Sequence, residues 1–318
     1  MAEIVVRQAR LADTHAITDL HCSTVEEGVF TRRNSDGTRT PVPYEELSLF
    51  ERFMNGGPWM SVETCAVWIA HLLRHGDEIP LVAEVDGLVL GEAEVTVGNE
   101  PAPYGRHLNI TSIRIHSGVS NSAKLAVALL AYIQEMARVM HMQQVLVARP
   151  APDISYTEYS FKPIVARQEV VIPARIGRVV YKAVAMTNFS PRGIDGWYMP
   201  FGRYQSARHD WNRIWPGFWN GVPELVEPEA ARYDIELAGQ RGKCLLQQDR
   251  YVPQRAAAFL WTERPLTSHM VSAVRDRVAR EGYEELSLFV DNQAMALVEA
   301  EATEVHASEM LLAWRTTS

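Results

Sequence analysis

Two glutamates of this 318-residue chain stand at a spacing that suits proton transfer. Glu92 and Glu94 alternate within GEAEV, a pattern that predicts a strand, so both carboxylates should face the same side of a sheet. His116 ends another predicted strand, HLNITSIRIH, and an imidazole has an intrinsic pKa suited to a general base. The three residues also fit a structural interpretation, as solvated carboxylates on a strand face and a packed histidine.

The polar segment SGVSNSAK, residues 117–124, joins this second strand to the apolar helix pattern LAVALLAYIQEMARVM. The first amides of a helix have no partner within the helix, and the helix dipole favours an anion beside them. The segment could therefore hold a phosphate group. Its serines and its asparagine fit equally well as ordinary N-cap residues of the same helix.

The elements around these residues predict a mixed α/β fold with two units in series. The hairpin IPLVAEVDGLVLGEAEVTVG turns at Asp86-Gly87, a strong signal for a two-residue turn. Around the hairpin the patterns give a strand, two or three helices, three strands, a long helix, a strand, a short helix and two strands. A shorter form of this order returns near the end of the chain. We predict a first domain over 1–188, a connector over 189–202 and a second domain over 203–318.

Composition excludes several classes of protein. The formal net charge of −8 weighs against binding to nucleic acid, which needs a clustered basic face. No apolar run is long enough to span a membrane, and the charged start MAEIVVRQARLADTHA is not typical of a signal peptide, so we expect a cytoplasmic protein. Cys22, Cys65 and Cys244 are far apart and odd in number, which predicts buried thiols and neither a metal site nor disulfides.

Four stretches resemble motifs of the GCN5-related N-acetyltransferase (GNAT) family, and together they cover most of residues 3–186. VVRQARLADTHAITDLH resembles the opening of that family, and PLVAEVDGLVLGEAEV resembles its second and third strands. ITSIRIHSGVSNSAKLAVALL stands where the family has its fourth strand, pyrophosphate loop and third helix. YTEYSF resembles the family motif Tyr-x-x-x-Gly-Phe, with Ser160 in place of glycine. A weaker likeness, through VAREGYEELSLFVDNQAMALVEAEATEV, covers 203–318, and two such units in one chain are similar in architecture to mycothiol synthase.

The resemblance implies a site for acetyl-coenzyme A in the first unit. Aligning the family's Arg/Gln-x-x-Gly-x-Gly/Ala loop with this chain implies a pyrophosphate site at Asn121, Ser122 and Lys124, with Asn121 in the place of Arg or Gln and Lys124 in the place of the first Gly. The pantetheine arm would contact the main chain of Ile113 and Ile115, and a slip of one residue would put His116 in one of these places.

The same resemblance implies the chemical roles. Tyr156 aligns with the tyrosine that the family uses as general acid near the coenzyme sulfur, and Glu26 and Glu27 lie where the family often meets its acceptor. The second unit has no glycine in TERPLTSHM and carries Val298 where the tyrosine would stand, so we expect it to be catalytically inert.

We therefore expect an N-acetyltransferase that transfers an acetyl group from acetyl-coenzyme A to an amine. The acceptor could be a small molecule or a peptide. The protein could be a monomer or a homodimer. The alternative is an inactive tandem GNAT protein that binds coenzyme A or a small molecule, or acts as a scaffold.

Overall fold

The computed structural model describes residues 3–316 apart from 26–28, 35–37, 76, 121, 188–189, 214–218, 220–221, 223, 226–229 and 250. The predicted mixed α/β fold is confirmed, with helices packed on a large mixed sheet. We call the elements up to β8 the first unit and the later ones the second unit; the predicted domain boundaries stay a prediction.

The first unit is built on five consecutive neighbours in the sheet, β1-β4-β5-β6-β7. All of these pairs are antiparallel except β6 and β7, which are parallel and joined by the long helix α4. The elements are β1 (Ile4–Gln8), α1 (Thr14–Ser23), β2 (Thr31–Arg33), β3 (Arg39–Pro41), α2 (Leu49–Met54), α3 (Val62–His75), β4 (Glu78–Val85), β5 (Leu88–Asn99), β6 (Arg106–Ile115), α4 (Ser122–Val139), β7 (Gln144–Val147) and β8 (Lys162–Pro173).

The second unit repeats this plan as β9-β11-β12-β13-β14, again with one parallel pair, β13 and β14, joined by helix α6. Thr267 caps α6 by accepting a hydrogen bond from the Met270 amide, as its sequence predicts. The elements are β9 (Lys182–Ala185), β10 (Tyr198–Phe201), α5 (Ala207–Arg213), β11 (Ala230–Leu237), β12 (Gln240–Gln248), β13 (Arg255–Thr262), α6 (Ser268–Arg280), β14 (Glu285–Asp291), α7 (Asn292–Met295), β15 (Glu304–Val305) and β16 (Glu309–Arg315).

The two units exchange strands. The last strand, β16, lies between β7 and β8 of the first unit, and β8 in turn pairs with β14 of the second. The predicted closing strands β8 and β9 both exist, but β9 pairs with β11 and not with β8. One sheet of 14 strands therefore runs through the described chain.

Helices cover both faces of the first unit's sheet. The apolar stripe of α4, with Leu125, Leu129 and Ile133, packs on one face because these residues recur at helical spacing. Helices α1 and α3 cover the other face through Ile17 and Ile69. The Asp86-Gly87 turn joins β4 to β5 as predicted, with both residues at positive φ, which a type I′ turn requires.

Three predicted elements differ from the structure. The amphipathic pattern of PYEELSLFERFMNGG predicts one helix, but the segment is divided because Ser48 and Glu51 form a capping box at the start of α2. The Gly, Pro and charged residues over roughly 28–44 predict a loop, but the hairpin of β2 and β3 lies there. The predicted helix DNQAMALVEAEA keeps only α7 and a 3-10 turn, because the chain returns at Thr303 to bond with Val171 of β8.

Candidate active site

Strands β6 and β7 separate partway along their length. They pair from His107 and Gln144 as far as Ile110 and Val147. Beyond this point β6 continues to Ile115 paired with β5 only. A bulge begins the separation, because Glu94 of β5 pairs with Ser112 and Val95 with Ile110, which leaves Thr111 unmatched. The parallel pair therefore opens into a gap on the α4 side of the unit.

Main-chain groups of β6 face this gap. The amide of His116 donates to the Leu90 carbonyl of β5 at 2.9 Å. Because antiparallel pairs alternate between bonded and non-bonded positions, Ile113 and Ile115 turn their amides and carbonyls away from β5. This alternation supports Ile113 and Ile115 over His116 as main-chain contacts for an extended ligand. The Ile113 carbonyl already accepts from the Arg114 guanidinium at 3.0 Å.

The loop before α4 is less open than the sequence suggests. The Ser117 amide donates to Ser23 Oγ at 3.1 Å. The Gly118 amide donates to His116 Nδ1 at 3.0 Å, and the Val119 amide donates to the His116 carbonyl at 3.3 Å. The interpretation of the whole bend as a row of outward amides is therefore wrong for these three residues.

The donors that remain for a phosphate lie in the first turn of α4. Ser122 and Lys124 are both exposed there, where a helix leaves its amides without partners inside the helix. Asn121 lies outside the described residues, as do Glu26 and Glu27. His116 is half-buried, and its ring shapes the loop through Gly118.

Tyr156 belongs to the apolar cluster that also contains Ile113 and Ile115. Its side chain is 3% exposed, and its hydroxyl makes no hydrogen bond of good geometry to any described residue. Burial raises the pKa of Tyr156 to about 12, so the phenol keeps its proton at neutral pH. Ser160, where the family motif has glycine, adopts φ 65°, in the left-handed region that favours glycine.

Glu92 and Glu94 lie on the opposite face of β5, under α1 and α3, and both are buried. His21 of α1 approaches Glu92, with its Nε2 3.1 Å from Oε2. The indole N–H groups of Trp59 and Trp68 both donate to Glu94 Oε1, at 2.8 and 2.6 Å. The interpretation of the two glutamates as solvated is therefore wrong, because three ring N–H groups replace water around them.

Burial raises the pKa of Glu94 well above its ordinary value, and the negative charges of Glu92 and Glu78 add to the effect. The raised pKa favours the neutral form of the Glu94 carboxyl group. Glu78 of β4 behaves in the opposite way. Burial acts to raise its pKa, but His209 lies 3.0 Å from its Oε1, and this contact makes the net shift of the pKa downward.

His209 belongs to α5 of the second unit, so this unit helps to form the buried row of Glu78, Glu92 and Glu94. Sequence reasoning missed His21, Trp59, Trp68 and His209. No motif joins these residues, which come from four separate elements. The tryptophan content was the one available signal, because a buried indole usually finds an acceptor for its N–H.

The corresponding gap in the second unit is filled by the chain itself. Strands β13 and β14 pair only from Arg255 to Ala257, and β10 then lies antiparallel on β13 at Leu260 and Thr262. The Gly202 amide donates to the Phe289 carbonyl of β14 at 2.9 Å. A strand of the protein therefore occupies the place that is open between β6 and β7.

Possible metal ligands and possible membrane-spanning helices among the described residues bear on the class of protein. Within the described residues, His, Cys, Asp and Glu side chains form no group of three that could hold a metal ion. None of the described helices combines the length and the apolarity needed to cross a bilayer.

The parallel pair that opens after a bulge, with a helix starting at the gap, is the architecture of the GCN5-related N-acetyltransferases, and the chain adopts this fold twice. It is similar to a GCN5-related N-acetyltransferase of Anabaena variabilis at 11% identity and a TM-score of 0.60, covering 98% of this chain and 72% of that one. A second, from Kribbella flavida, gives 10% identity and a TM-score of 0.55, over 98% and 71% of the two chains. Eis1 of Mycobacterium abscessus is similar at 13% sequence identity and a TM-score of 0.54, covering 98% of this chain and 72% of that one.

These likenesses establish the fold of the chain. At the level of sequence, no family model and no curated protein matches.

Proposed function

We propose that this protein is an acyl-coenzyme A-dependent N-acetyltransferase whose reaction takes place in the first unit. The observation that carries the proposal is the gap between β6 and β7, where Ile113 and Ile115 present main-chain groups beside the start of α4. Acetyl-coenzyme A supplies a thioester that is activated toward amines. The similar solved structures that are described as N-acetyltransferases support the proposal.

The residues present fit the coenzyme in part. The edge of β6 suits an extended arm with amide groups, because the amides of Ile113 and Ile115 point away from β5 in the plane of the sheet, although the Ile113 carbonyl already accepts from Arg114. Ser122 and Lys124, together with Asn121, would hold the pyrophosphate through first-turn amides and the lysine charge. The inward amides of Ser117 and Gly118 leave this part of the site with fewer donors than the family loop.

Tyr156 would act as the general acid. It is protonated at neutral pH, it lies in the same cluster as Ile113, and its hydroxyl makes no hydrogen bond of good geometry among the described residues. The nearby Ala151 backbone offsets part of the rise in its pKa that burial causes. A phenol in this position could protonate a departing thiolate. Its orphan hydroxyl is itself evidence for a missing partner, because buried polar groups are rarely left without one.

Glu92 would accept the proton of the attacking amine. Its carboxylate faces the acceptor side of β5, and His21 and Ser112 hold one of its oxygens, at 3.1 and 3.4 Å. Glu94 is the less suitable base because its raised pKa favours the protonated form. His116 is engaged with Gly118, and we assign it a structural role. Glu26 and Glu27 stay proposals for acceptor binding.

Binding of acetyl-coenzyme A should raise the free energy of unfolding, and thermal melting measures this. A ligand that binds only the folded state stabilises it by about 2.7 kcal/mol at a hundredfold excess over Kd. Acceptor-dependent release of the coenzyme thiol should follow in a screen of small-molecule and peptide amines. The absence of a thermal shift at millimolar ligand would contradict the proposal.

The inward amides of Ser117, Gly118 and Val119 favour one alternative, an inactive tandem protein that binds coenzyme A weakly or serves as a scaffold. A thermal shift without any thiol release across the screen would support it. In either case we propose a cytoplasmic protein, monomeric or homodimeric, without a metal.

A further inference from the structure

Each of the two buried glutamates on β5 has one oxygen with partners and one without. Glu94 Oε1 accepts from two indole N–H groups and Glu92 Oε2 accepts from His21 and Ser112. Glu94 Oε2 and Glu92 Oε1 are buried and have no hydrogen-bond partner among the described residues. The relative exposures are 2% for Glu94 and 0% for Glu92, so both carboxyl groups are shielded from bulk solvent.

A buried carboxylate oxygen without a partner is costly, so each of these oxygens requires a proton or a cation. Both side chains share one face of the strand and are two residues apart, a separation of about 7 Å along β5. Ala93, which lies between them, pairs with Ile113 at the edge of the gap. Glu92 and Glu94 therefore lie one strand away from the edge of the gap, on the face of β5 that α1 and α3 cover.

The surrounding groups favour an organic cation over a metal ion. Hard divalent cations prefer six or more oxygen ligands, whereas this site offers two free carboxylate oxygens among aromatic rings. Trp59 stacks on His21 with centroids 5.0 Å apart, and Trp68 meets Trp59 edge-on at 6.3 Å. Indole faces attract ammonium groups. Of the three rings Trp59 alone is partly exposed, and it separates Glu94 from solvent.

We propose that Glu92 and Glu94 bind the acceptor as a linear diamine, with one ammonium group against Glu94 and the reacting amine against Glu92. This inference rests on the proposed acyl transfer and names its class of acceptor. The ammonium group at Glu94 replaces the proton of that carboxyl group, which leaves to solvent. The amine at Glu92 gives its proton to that carboxylate and becomes neutral, as attack on a thioester requires. Before this proton transfer, two negative charges meet two positive ones.

Among the charged or titratable groups around the pair, His21 contacts Glu92 Oε2 and leaves Oε1 without a partner among the described residues. Glu78 and His209 are engaged with each other, and Arg114, which stands opposite Glu92 in the sheet, donates to the Ile113 carbonyl. The groups that face the pair or lie near it are Glu78 of β4, Arg114 of β6, His21 of α1, Cys65 and His71 of α3, and His209 of α5.

Calorimetric titration of the full chain without acetyl-coenzyme A tests the proposal. The probes are 1,4-diaminobutane and 1-aminobutane, each titrated at pH 7 in two buffers of different ionisation enthalpy so that released protons are counted. We expect the diamine to bind at least about tenfold more tightly than the monoamine, the effect of one additional charged hydrogen bond. We also expect release of about one proton per diamine bound.

Two isosteric variants separate the contribution of Glu94 from that of Glu92. Glu94→Gln should abolish proton release and reduce diamine affinity to the level of the monoamine. Glu92→Gln should lose the preference for the diamine while proton release persists. If one of the two variants folds poorly, the other still tests the proposal. Glu135→Gln, an exposed carboxylate on α4 paired with Arg138, is the control and should bind like the wild type.

Equal affinities for the two probes, or an undiminished preference for the diamine in Glu94→Gln, would overturn the diamine assignment. Acetyl-coenzyme A binding is measured separately by its thermal shift. Failure of that shift alone would remove the proposed acyl transfer, while diamine binding would still show a cation site.

Discussion

Replacing Tyr156 by phenylalanine should stabilise the protein and at the same time inactivate it. The hydroxyl is buried with no well-formed hydrogen bond to any described residue, and the nearby Ala151 backbone offsets only part of its desolvation in the folded state. Leaving a polar group unsatisfied in this way costs about 1–3 kcal/mol. Because the ring of Tyr156 packs edge-on against Phe161 with centroids 5.6 Å apart, the substitution keeps the packing. We expect the free energy of unfolding to rise by about 1 kcal/mol.

Turnover should fall in the same variant by about 10²- to 10⁴-fold, the usual contribution of a general acid. Urea denaturation gives the stability, and release of the coenzyme thiol, with an acceptor found in the amine screen, gives the rate. Tyr104→Phe is the matched control. Its hydroxyl is also buried without a partner among the described residues, burial raises its pKa to about 12, and its ring lies under the Arg203 guanidinium in a cluster separate from that of Tyr156.

The two variants should therefore gain similar stability and differ in activity. A loss of stability in Tyr156→Phe would show that its hydroxyl is hydrogen-bonded in solution and would remove the argument from the orphan group. An unchanged rate with acetyl-coenzyme A still bound would show that another group protonates the thiolate.

Four other outcomes follow from the structure. Ser160→Gly should raise the free energy of unfolding by about 0.5–1 kcal/mol, since glycine relieves the left-handed backbone at φ 65°, and a fall in stability on urea denaturation would contradict this. Glu94 has a folded-state pKa above its unfolded value, so its contribution to stability is full below the unfolded pKa and is lost as the pH rises toward the folded one. The advantage of Glu94→Gln over wild type in denaturation should therefore grow between pH 5 and pH 8, by at most about 1.4 kcal/mol per pH unit, and a constant difference would refute the raised pKa. Calorimetry should find one coenzyme per chain, because β10 fills the second gap, and a ratio of two would contradict that reading. A fragment ending at residue 188 should not give a folded domain in circular dichroism and proteolysis, because β16 lies between β7 and β8, and a stable fragment would show that this strand is dispensable.

The architecture could be predicted from sequence where local signals were strong. The hairpin at Asp86-Gly87 and the cap at Thr267 each depend on residues within a few positions of one another. Strand exchange could not be predicted, because the segment that becomes β16 has the same strand pattern whichever unit it joins. Its place beside β7 is decided by contacts about 170 residues apart in the chain.

Some features of the candidate site could also be predicted from sequence, and others could not. The family resemblance implies Ile113 and Ile115 and leaves open a slip of one residue to His116, and the hydrogen bond of His116 to Leu90 supports the first register. The state of Glu94 could not be predicted. Its burial depends on Trp59 and Trp68, which precede it by 35 and 26 residues and belong to other elements. The inward turn of the Ser117 amide likewise depends on a distant partner, Ser23 of α1.

The exchanged strands explain why a unit whose own gap is closed would be retained. Without β16, strands β7 and β8 would each lose a neighbour at the edge of the first unit's core, and unpaired strand edges are prone to aggregate. Without α5, Glu78 would lose His209 and remain as an unpaired buried charge beside Glu94, which is strongly destabilising. The second unit can thus lose its own site and still be required, since it supplies a strand and a histidine to the first.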